Sequence, residues 1–390
     1  MQVGKLLHKM LQGVIHAKRL VTLSAFVLAA IKSKKLSLTG LGRSADFDIQ
    51  ERSAIRKADR FIGNEHLHAE RMDIFQKIIN QLIGNKQRPN IIVDWSPVPN
   101  FKKHILRAAL MLDGRALTLY EEVHNEKKLG NAKVQNKFLV SLKSLLPKTC
   151  KPIVVTDAGF HNDWFANVIA QGWDYIGRVR GGKKYQLASN KRKLIDSLLK
   201  GGQREPEYIG RVDLCVTNPI KTNLYRVKSK LKGRKSLNKS KKRKRDSHSK
   251  DYSKSGRESW VLATSLPHRT NTAKKVVAIY KHRMQIEEAF RDLKSHKYGF
   301  GFEDAYSRSN KRIEILLLIA MLASFIAYLI GYIAEIKNLQ FQFQANSIRK
   351  HRVLSLFFLG CQVVKKKIHI LLSEFERALF NIKNHKLVIS

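Results

Sequence analysis

Apolar positions recur at helical spacing through the first 85 residues. Three segments carry this pattern: LLHKMLQGVIH (6–16), LVTLSAFVLAAI (20–31) and DIFQKIINQLIG (73–84). Apolar side chains three and four residues apart fall on one face of an α-helix. The spacing therefore predicts several short helices in residues 1–85. A DNA-binding unit and a plain helical interaction domain both fit this pattern.

The pattern changes after residue 85 to short apolar runs, which are typical of strands. NIIVDWSPV, HILRAALML and RALTLYEEV follow one another, and the Asp113-Gly114 pair between the last two favours a β-hairpin. Next come a helical run, the apolar run PIVVT, a second helical run and YIGRVR. This order predicts an α/β fold with a ribonuclease-H-like mixed sheet, flanked by helices, over residues 86–312.

An insertion interrupts this core at about 181–259. YIGRVDLCVTN and NLYRVKSKL predict strands of an inserted, β-rich segment. From 226 to 257, 15 of 32 residues are Lys or Arg, so we expect an arm that follows DNA phosphates with little sequence specificity. A solvated loop is the alternative interpretation. WVLATS then predicts another strand, and one helix is predicted from about Thr272 to Ser295.

The region 313–390 is predicted to be helical, with a possible role in dimerisation. Its stretch ILLLIAMLASFIAYLIGYIA (315–334) has 20 residues without a charge, which is long enough to span a bilayer. Ser324, Tyr328 and Tyr332 instead suit a helix buried in the protein or against a partner subunit. The apolar run 20–31 follows basic residues as in a signal peptide, but the basic region before it is long. We therefore expect no membrane association.

The charge of the chain indicates its partner. With 74 Lys and Arg against 31 Asp and Glu, the net charge is +43 and the sequence pI is about 10.3. An excess this large favours a polyanion, because each neutralised phosphate releases condensed counterions. The three cysteines are far apart and form no C-x-x-C pair, so neither a zinc finger nor a disulfide framework is indicated. We therefore expect the protein to bind nucleic acid and to function in a reducing cytoplasm.

Two aspartates stand next to predicted strands. Asp94 ends the run IIV, and Asp157 follows the run IVVT. An unpaired carboxylate at the end of a buried strand is costly, and ligands collect at the carboxyl ends of strands in α/β sheets. Each Asp taken alone is better explained by a turn or a helix cap.

The predicted helix 272–295 adds four polar residues at intervals of three, four and seven: Tyr280, Arg283, Glu287 and Lys294. At about 100° per residue they form a stripe about 60° wide. An ordinary amphipathic helix with an Arg283–Glu287 pair would look the same. Three carboxylates meeting at a mixed sheet would suit two divalent metal ions, and Mg²⁺ prefers oxygen ligands.

This arrangement resembles the insertion-sequence-four family of bacterial DDE transposases, which includes the transposases of transposons five and ten. The family pattern is Tyr, two residues, Arg, three residues, Glu, six residues, Lys, and the four residues above fit it without a gap. The blocks VDWS (93–96) and TDAGF (156–160) are similar to those around the family's two aspartates. The resemblance runs from about Asn90 to Lys297.

The resemblance implies a function and a role for each matching residue. Asp94, Asp157 and Glu287 would bind two Mg²⁺ ions, with Mn²⁺ as a substitute; Glu288 is an alternative ligand that does not match the pattern. Tyr280, Arg283 and Lys294 would contact phosphates of the transposon end, and Trp260 would stack on a flipped base. A core tryptophan on a strand is the alternative for Trp260.

The implied reaction is cut-and-paste transposition through a hairpin intermediate. It would act on double-stranded transposon ends and target DNA, with a homodimer in the synaptic complex and a cytoplasmic, nucleoid-associated location. Residues 1–85 would bind the DNA ends. Two other classes remain open: a metal-dependent nuclease that cuts without joining, and a nucleic-acid binder without catalysis.

Overall fold

The computed structural model describes residues 2–188, 191–228, 258–348 and 350–384. These residues form two compact units. Unit 1 contains the described residues of Met1–Cys150 and Met284–Val388, and unit 2 contains those of Lys151–Arg283. These units are defined by packing, whereas the domains predicted at 1–85, 86–312 and 313–390 are defined by function. The predicted domain boundaries therefore stay a prediction.

Unit 1 begins with the predicted short helices: α1 (Val3–Leu11), α2 (Ala17–Ser33), α3 (Leu38–Ser44), α4 (Glu51–Ile62) and α5 (Glu65–Ile83). Side chains cap two of them at the amino end. Ser37 Oγ accepts a hydrogen bond from the Gly40 amide at 3.2 Å, and Asn64 Oδ1 accepts one from the Leu67 amide at 2.8 Å. These caps satisfy amides that have no partner inside the helix.

Three antiparallel strands follow in unit 1: β1 (Asn90–Pro97), β2 (Lys103–Met111) and β3 (Ala116–Asn125), with β2 in the middle. The predicted hairpin is confirmed, because β2 and β3 pair across Asp113-Gly114 and Gly114 has a φ of 70°. Glycine adopts this left-handed conformation without steric cost. The next helix, α6, covers Ala132–Leu145.

The described residues of unit 2 form seven strands and three helices: β4 (Ile153–Thr156), α7 (Asn162–Ala170), β5 (Asp174–Val179), β6 (Lys184–Leu187), β7 (Lys193–Leu194), α8 (Asp196–Leu199), β8 (Glu207–Leu214), β9 (Ile220–Val227), β10 (Trp260–Thr264) and α9 (Thr272–Lys281). Its strands run in the order β4-β5-β10-β9-β8-β6-β7. β4 and β5 are parallel and the other pairs are antiparallel. This mixed sheet with flanking helices confirms the predicted α/β, ribonuclease-H-like class.

The predicted strands of the insertion are present as β8 and β9. They extend the sheet of unit 2 rather than forming a separate sheet, because β9 pairs with β10. Of the basic run 226–257, residues 229–257 lie outside the described residues. The prediction of a phosphate-following arm therefore stays a prediction.

The prediction of one continuous helix at 272–295 is wrong. The chain forms α9 and then α10 (Met284–Lys294), separated by His282 and Arg283. At this junction the His282 amide donates to Ile279 O and the Arg283 amide donates to Tyr280 O, so the backbone tightens to i→i−3 bonds. The sequence has neither Gly nor Pro at the break between the two helices. The helical spacing of apolar residues therefore continues across His282 and Arg283 and predicted one helix.

Unit 1 ends with α11 (Asn310–Ile336), α12 (Leu356–Lys365) and α13 (Leu372–Asn384). By length and composition α11 could cross a membrane, with a mean hydropathy of 2.6, but 89% of that apolar window is buried inside the protein. Two glycines allow α11 and α12 to cross closely. A Cβ on Gly331 would lie 1.9 Å from Leu356 O, and one on Gly360 would lie 1.8 Å from Ala327 O. The helix therefore packs as a core helix.

Candidate active site

Asp94 lies inside strand β1, not at its end as predicted. The strand continues three residues further, to Pro97, because Asp94, Trp95 and Ser96 still pair with β2. Asp94 pairs with Arg107, is half-buried, and its Oδ1 accepts a hydrogen bond from the Trp95 amide at 2.8 Å. The carboxylate is therefore held by regular sheet structure and by the next backbone amide.

Glu287 lies in the first turn of α10 and is exposed, and α10 packs against β1 and β3. The structure thus brings the helix of Glu287 onto the sheet of Asp94. Lys294, at the other end of α10, donates to Ser96 Oγ at 2.8 Å and to Pro97 O. Burial, followed by the positive charge of Arg107, lowers the pKa of Lys294 to about 8. In this structure Lys294 joins α10 to β1; its predicted phosphate contact stays a prediction.

The β2–β3 hairpin contacts α10, and this contact was not predicted from the sequence. Arg115 Nε donates to Asp292 Oδ2 at 2.8 Å, and its Nη1 pairs with Glu288 Oε2. One turn earlier, Gln285 Nε2 donates to Leu112 O at 2.8 Å. We call these bonds the hairpin–helix contact. The partners are separated by 173 residues or more along the chain, so no local pattern could have indicated the pairing.

A buried ion pair lies beside the same helix. Arg107 and Glu121 face each other across β2 and β3, with Nη2 and Oε2 2.7 Å apart, and the side chains are 4% and 1% exposed. The Arg107 guanidinium also lies 4.4 Å from the centre of the Phe290 ring on α10. One signal was available in the sequence: Arg107 and Glu121 are equally distant from Gly114 at the predicted turn.

In unit 2, Asp157 directly follows β4, as predicted. Its Oδ1 accepts a hydrogen bond from the Gly159 amide at 2.8 Å. A Cβ on Gly159 would lie 3.1 Å from the same oxygen, which is tighter than ordinary contact. Glycine in the TDAGF block therefore permits the amide to approach the carboxylate.

Trp260, Tyr280 and Arg283 form a second group in unit 2. The rings of Trp260 and Tyr280 meet edge to face, with centroids 5.1 Å apart, and the Arg283 guanidinium lies 6.0 Å from the Tyr280 ring. Tyr280 is buried, which raises the pKa of its hydroxyl, while Trp260 is half-buried. The structure thus brings together three of the residues predicted to contact DNA.

The carboxylates at positions 94, 157 and 287 offer only oxygen donors, and this set fits Mg²⁺. Across residues 2–188, 191–228, 258–348 and 350–384, no group of three or more His, Cys, Asp or Glu side chains is arranged to hold a metal ion. The convergence of the three carboxylates on metal ions therefore stays a prediction.

The comparison with protein families agrees with the sequence patterns. The profile of the transposase DDE domain matches residues 85–326, which include every predicted site residue. The piggyBac transposase in its synaptic complex with hairpin DNA, determined by cryo-EM, is similar over 100% of this chain and 84% of that chain, with 12% identity and a TM-score of 0.42. A search of curated proteins finds no match.

Proposed function

The chain belongs to the DDE-domain transposases, and from this premise we propose that it moves a DNA element by cut-and-paste transposition. In this proposal the protein binds the inverted-repeat ends of an insertion sequence, cleaves them through a hairpin intermediate and joins them to target DNA. The observation that carries the proposal is the packing of the Glu287 helix on the Asp94 strand within the family-matched range.

We assign Asp94, Asp157 and Glu287 as the ligands of two Mg²⁺ ions, for which Mn²⁺ can substitute. When bound, the ions would supply Lewis-acid stabilisation of the attacking and leaving oxygens. The backbone amides of Trp95 and Gly159 orient the two aspartates. Glu287 is exposed on α10, and the hairpin–helix contact fixes the helix that carries it.

We assign the DNA contacts to the remaining residues of the family pattern. Arg283 and Lys294 would neutralise phosphates of the transposon end, and Tyr280 would support Arg283 through its ring. Trp260 would stack on a base that leaves the duplex near the cleavage point, because aromatic stacking offsets the cost of unstacking. No covalent protein–DNA intermediate is needed, since water and a DNA 3′-hydroxyl are the nucleophiles.

The rest of the chain serves the same function in this proposal. Residues 1–85 bind the DNA ends, and residues 313–390 contribute to a homodimer that holds two ends in a synaptic complex. The net charge of +43 suits a protein that contacts end and target DNA together. We place the protein in the bacterial cytoplasm, associated with the nucleoid.

A cleavage and joining assay with Mg²⁺ tests this function, on DNA carrying the ends that flank the gene. We expect the wild type to excise and insert the fragment, and Glu287→Ala to bind DNA while cleaving at least about a thousandfold more slowly. Glu288→Gln is the matched neighbour, and we expect a smaller loss because Glu288 faces Arg115. Cutting without joining would indicate a nuclease, and equal activity of Glu287→Ala and wild type would exclude Glu287 as a ligand.

A further inference from the structure

Helix α4 exposes three arginines along one face. Arg52, Arg56 and Arg60 are four residues apart and exposed, so they follow one another about 40° apart around the helix axis. The buried face lies opposite and consists of Ala54, Ala58, Phe61 and Ile62. Within the described part of the chain, none of the three guanidinium groups has an ion-pair or hydrogen-bond partner. This arginine face is therefore available to a partner outside the chain.

The two acidic residues of α4 form ion pairs with arginines outside this helix. Glu51 pairs with Arg43 Nε at 2.7 Å, and Asp59 pairs with Arg312 Nη2 at 2.5 Å. Neither carboxylate therefore forms an ion pair with the arginine face. Its positive charge is not neutralised from within the helix.

The orientation of α4 is fixed by close packing on α3. A Cβ on Gly42 would lie 2.6 Å from the Ile55 Cα, so the two helices can cross only because residue 42 is glycine. Lys57 adds a contact above the Phe47 ring at 3.9 Å. A helix held in this way presents its outer face without rearrangement on binding.

Helix α6 gives a useful comparison, because its exposed face carries Lys133 and Lys137 at the same spacing. A lysine ammonium acts as a point charge and suits phosphate of any sequence. Arginine has a planar fork of donors that matches the O6 and N7 acceptors of guanine in the major groove. Because the rigid fork can form both bonds to one guanine at once, the arginines of α4 are better suited to reading bases than the lysines of α6, although arginine also binds phosphate.

We propose that the arginine face of α4, formed by Arg52, Arg56 and Arg60, enters the major groove and reads guanines of the element end. This inference rests on the proposed function and specifies how residues 1–85 recognise DNA. A helix of 12 residues is about 18 Å long, and the major groove of B-DNA is about 12 Å wide, which admits an α-helix.

Binding of the full chain to end DNA and to a scrambled duplex of equal length tests the proposal. Arg52→Gln/Arg56→Gln is compared with Lys133→Gln/Lys137→Gln, which removes the same charge at the same spacing. We expect the arginine pair to lower the ratio of end to scrambled affinity by at least about tenfold. The lysine pair should weaken both affinities alike. Methylation of guanine N7 in the end DNA should weaken wild-type binding and leave the arginine variant unaffected.

Arg52→Lys/Arg56→Lys separates charge from base reading. It keeps the positive charge, so we expect nearly normal binding to scrambled DNA with the discrimination lost. A double arginine variant that keeps the wild-type affinity ratio overturns the inference, even if both affinities fall. Since all four side chains are exposed, circular dichroism and the melting temperature should be unchanged.

The outcomes also separate this inference from the proposed function. If the wild type cleaves its ends, but the arginine variant has the same ratio of end to scrambled affinity as the wild type, the inference fails and the proposed function stands. If the wild type distinguishes the ends through α4 but never cuts or joins them, the function fails and the inference stands.

Discussion

The two units hold their site residues by different kinds of contact. In unit 1, charged side chains fix the helix of Glu287: Arg115 pairs with Glu288 and Asp292, and Lys294 reaches Ser96 on β1. In unit 2, Trp260 meets Tyr280 edge to face with ring centroids 5.1 Å apart, and the Arg283 guanidinium lies 6.0 Å from the Tyr280 ring. The carboxylate of Asp157 lies in a loop after β4.

This difference matters because the two kinds of contact constrain different things. Hydrogen-bonded ion pairs fix direction and register, since both partners must meet at defined atoms. Aromatic pairs favour offset-stacked or edge-to-face ring arrangements, and each contributes only about 0.5–1.5 kcal/mol beyond the area that it buries. We therefore expect substitutions of the unit 1 contacts to produce larger losses than substitutions of the unit 2 contacts.

Breaking the buried Arg107–Glu121 pair should have the largest effect. Arg107→Met leaves the Glu121 carboxylate buried without its partner, and we expect the free energy of unfolding to fall by about 3–5 kcal/mol. Chemical denaturation of the full chain measures this loss. The exposed pair Arg43–Glu51, with both side chains 60% exposed, is the matched control. Arg43→Met should cost about 1 kcal/mol or less.

The double variant Arg107→Met/Glu121→Leu sharpens this test. Replacing both charges with apolar side chains removes the uncompensated carboxylate, so most of the lost stability should return. If the double variant is as unstable as Arg107→Met, the packing of Arg107 on Phe290 dominates over the ion pair.

Breaking the Arg115 ion pairs of the hairpin–helix contact should have the next largest effect, on activity. Arg115→Gln loses the ion pairs to Glu288 and Asp292, and a displacement of Glu287 by about 1 Å would slow cleavage by about a hundredfold. Single-turnover cleavage measures the rate, and electron paramagnetic resonance of bound Mn²⁺ measures metal affinity. Both should fall, while DNA binding stays unchanged.

Arg291→Gln is the control for Arg115, because it removes an exposed arginine from the same helix. We expect it to keep the wild-type Mn²⁺ affinity. Arg115→Lys should recover part of the activity, since an ammonium can reach one carboxylate but not both. If Arg115→Gln only lowers the melting temperature and leaves Mn²⁺ affinity intact, Arg115 supports the fold and does not position Glu287.

The sequence predicts best what local patterns encode. Apolar runs and the Asp113-Gly114 turn indicated the β2–β3 hairpin, which the strand pairing confirms. The break at His282 and Arg283 was missed because no residue there opposes helix formation. The strand over NIIVDWSPV was predicted well, and only the place of Asp94 at a strand end was wrong, because pairing with Arg107 keeps Asp94 inside the sheet.

The hairpin–helix contact could not be predicted because its partners are far apart along the chain. Arg115 and Asp292 are 177 residues apart, and any of the chain's 74 basic residues could pair with an acid on α10. Only the packing of α10 on β3 selects Arg115 among them. The same packing explains why Glu288, a candidate ligand by residue type, is turned to the hairpin arginine.

Trp260→Ala should have the smallest of these effects and tests the unit 2 side of the comparison. Stacking of one base on an aromatic ring contributes about 1–3 kcal/mol, so hairpin formation should slow by about tenfold or more. Trp260→Phe should retain most of the rate, because phenylalanine keeps an aromatic face. An abasic site in place of the flipped nucleotide should make wild type and Trp260→Ala equal, since no base is left to stack. If Trp260→Ala slows the reaction equally on intact and abasic DNA, the tryptophan acts through its contact with Tyr280, and base stacking is excluded.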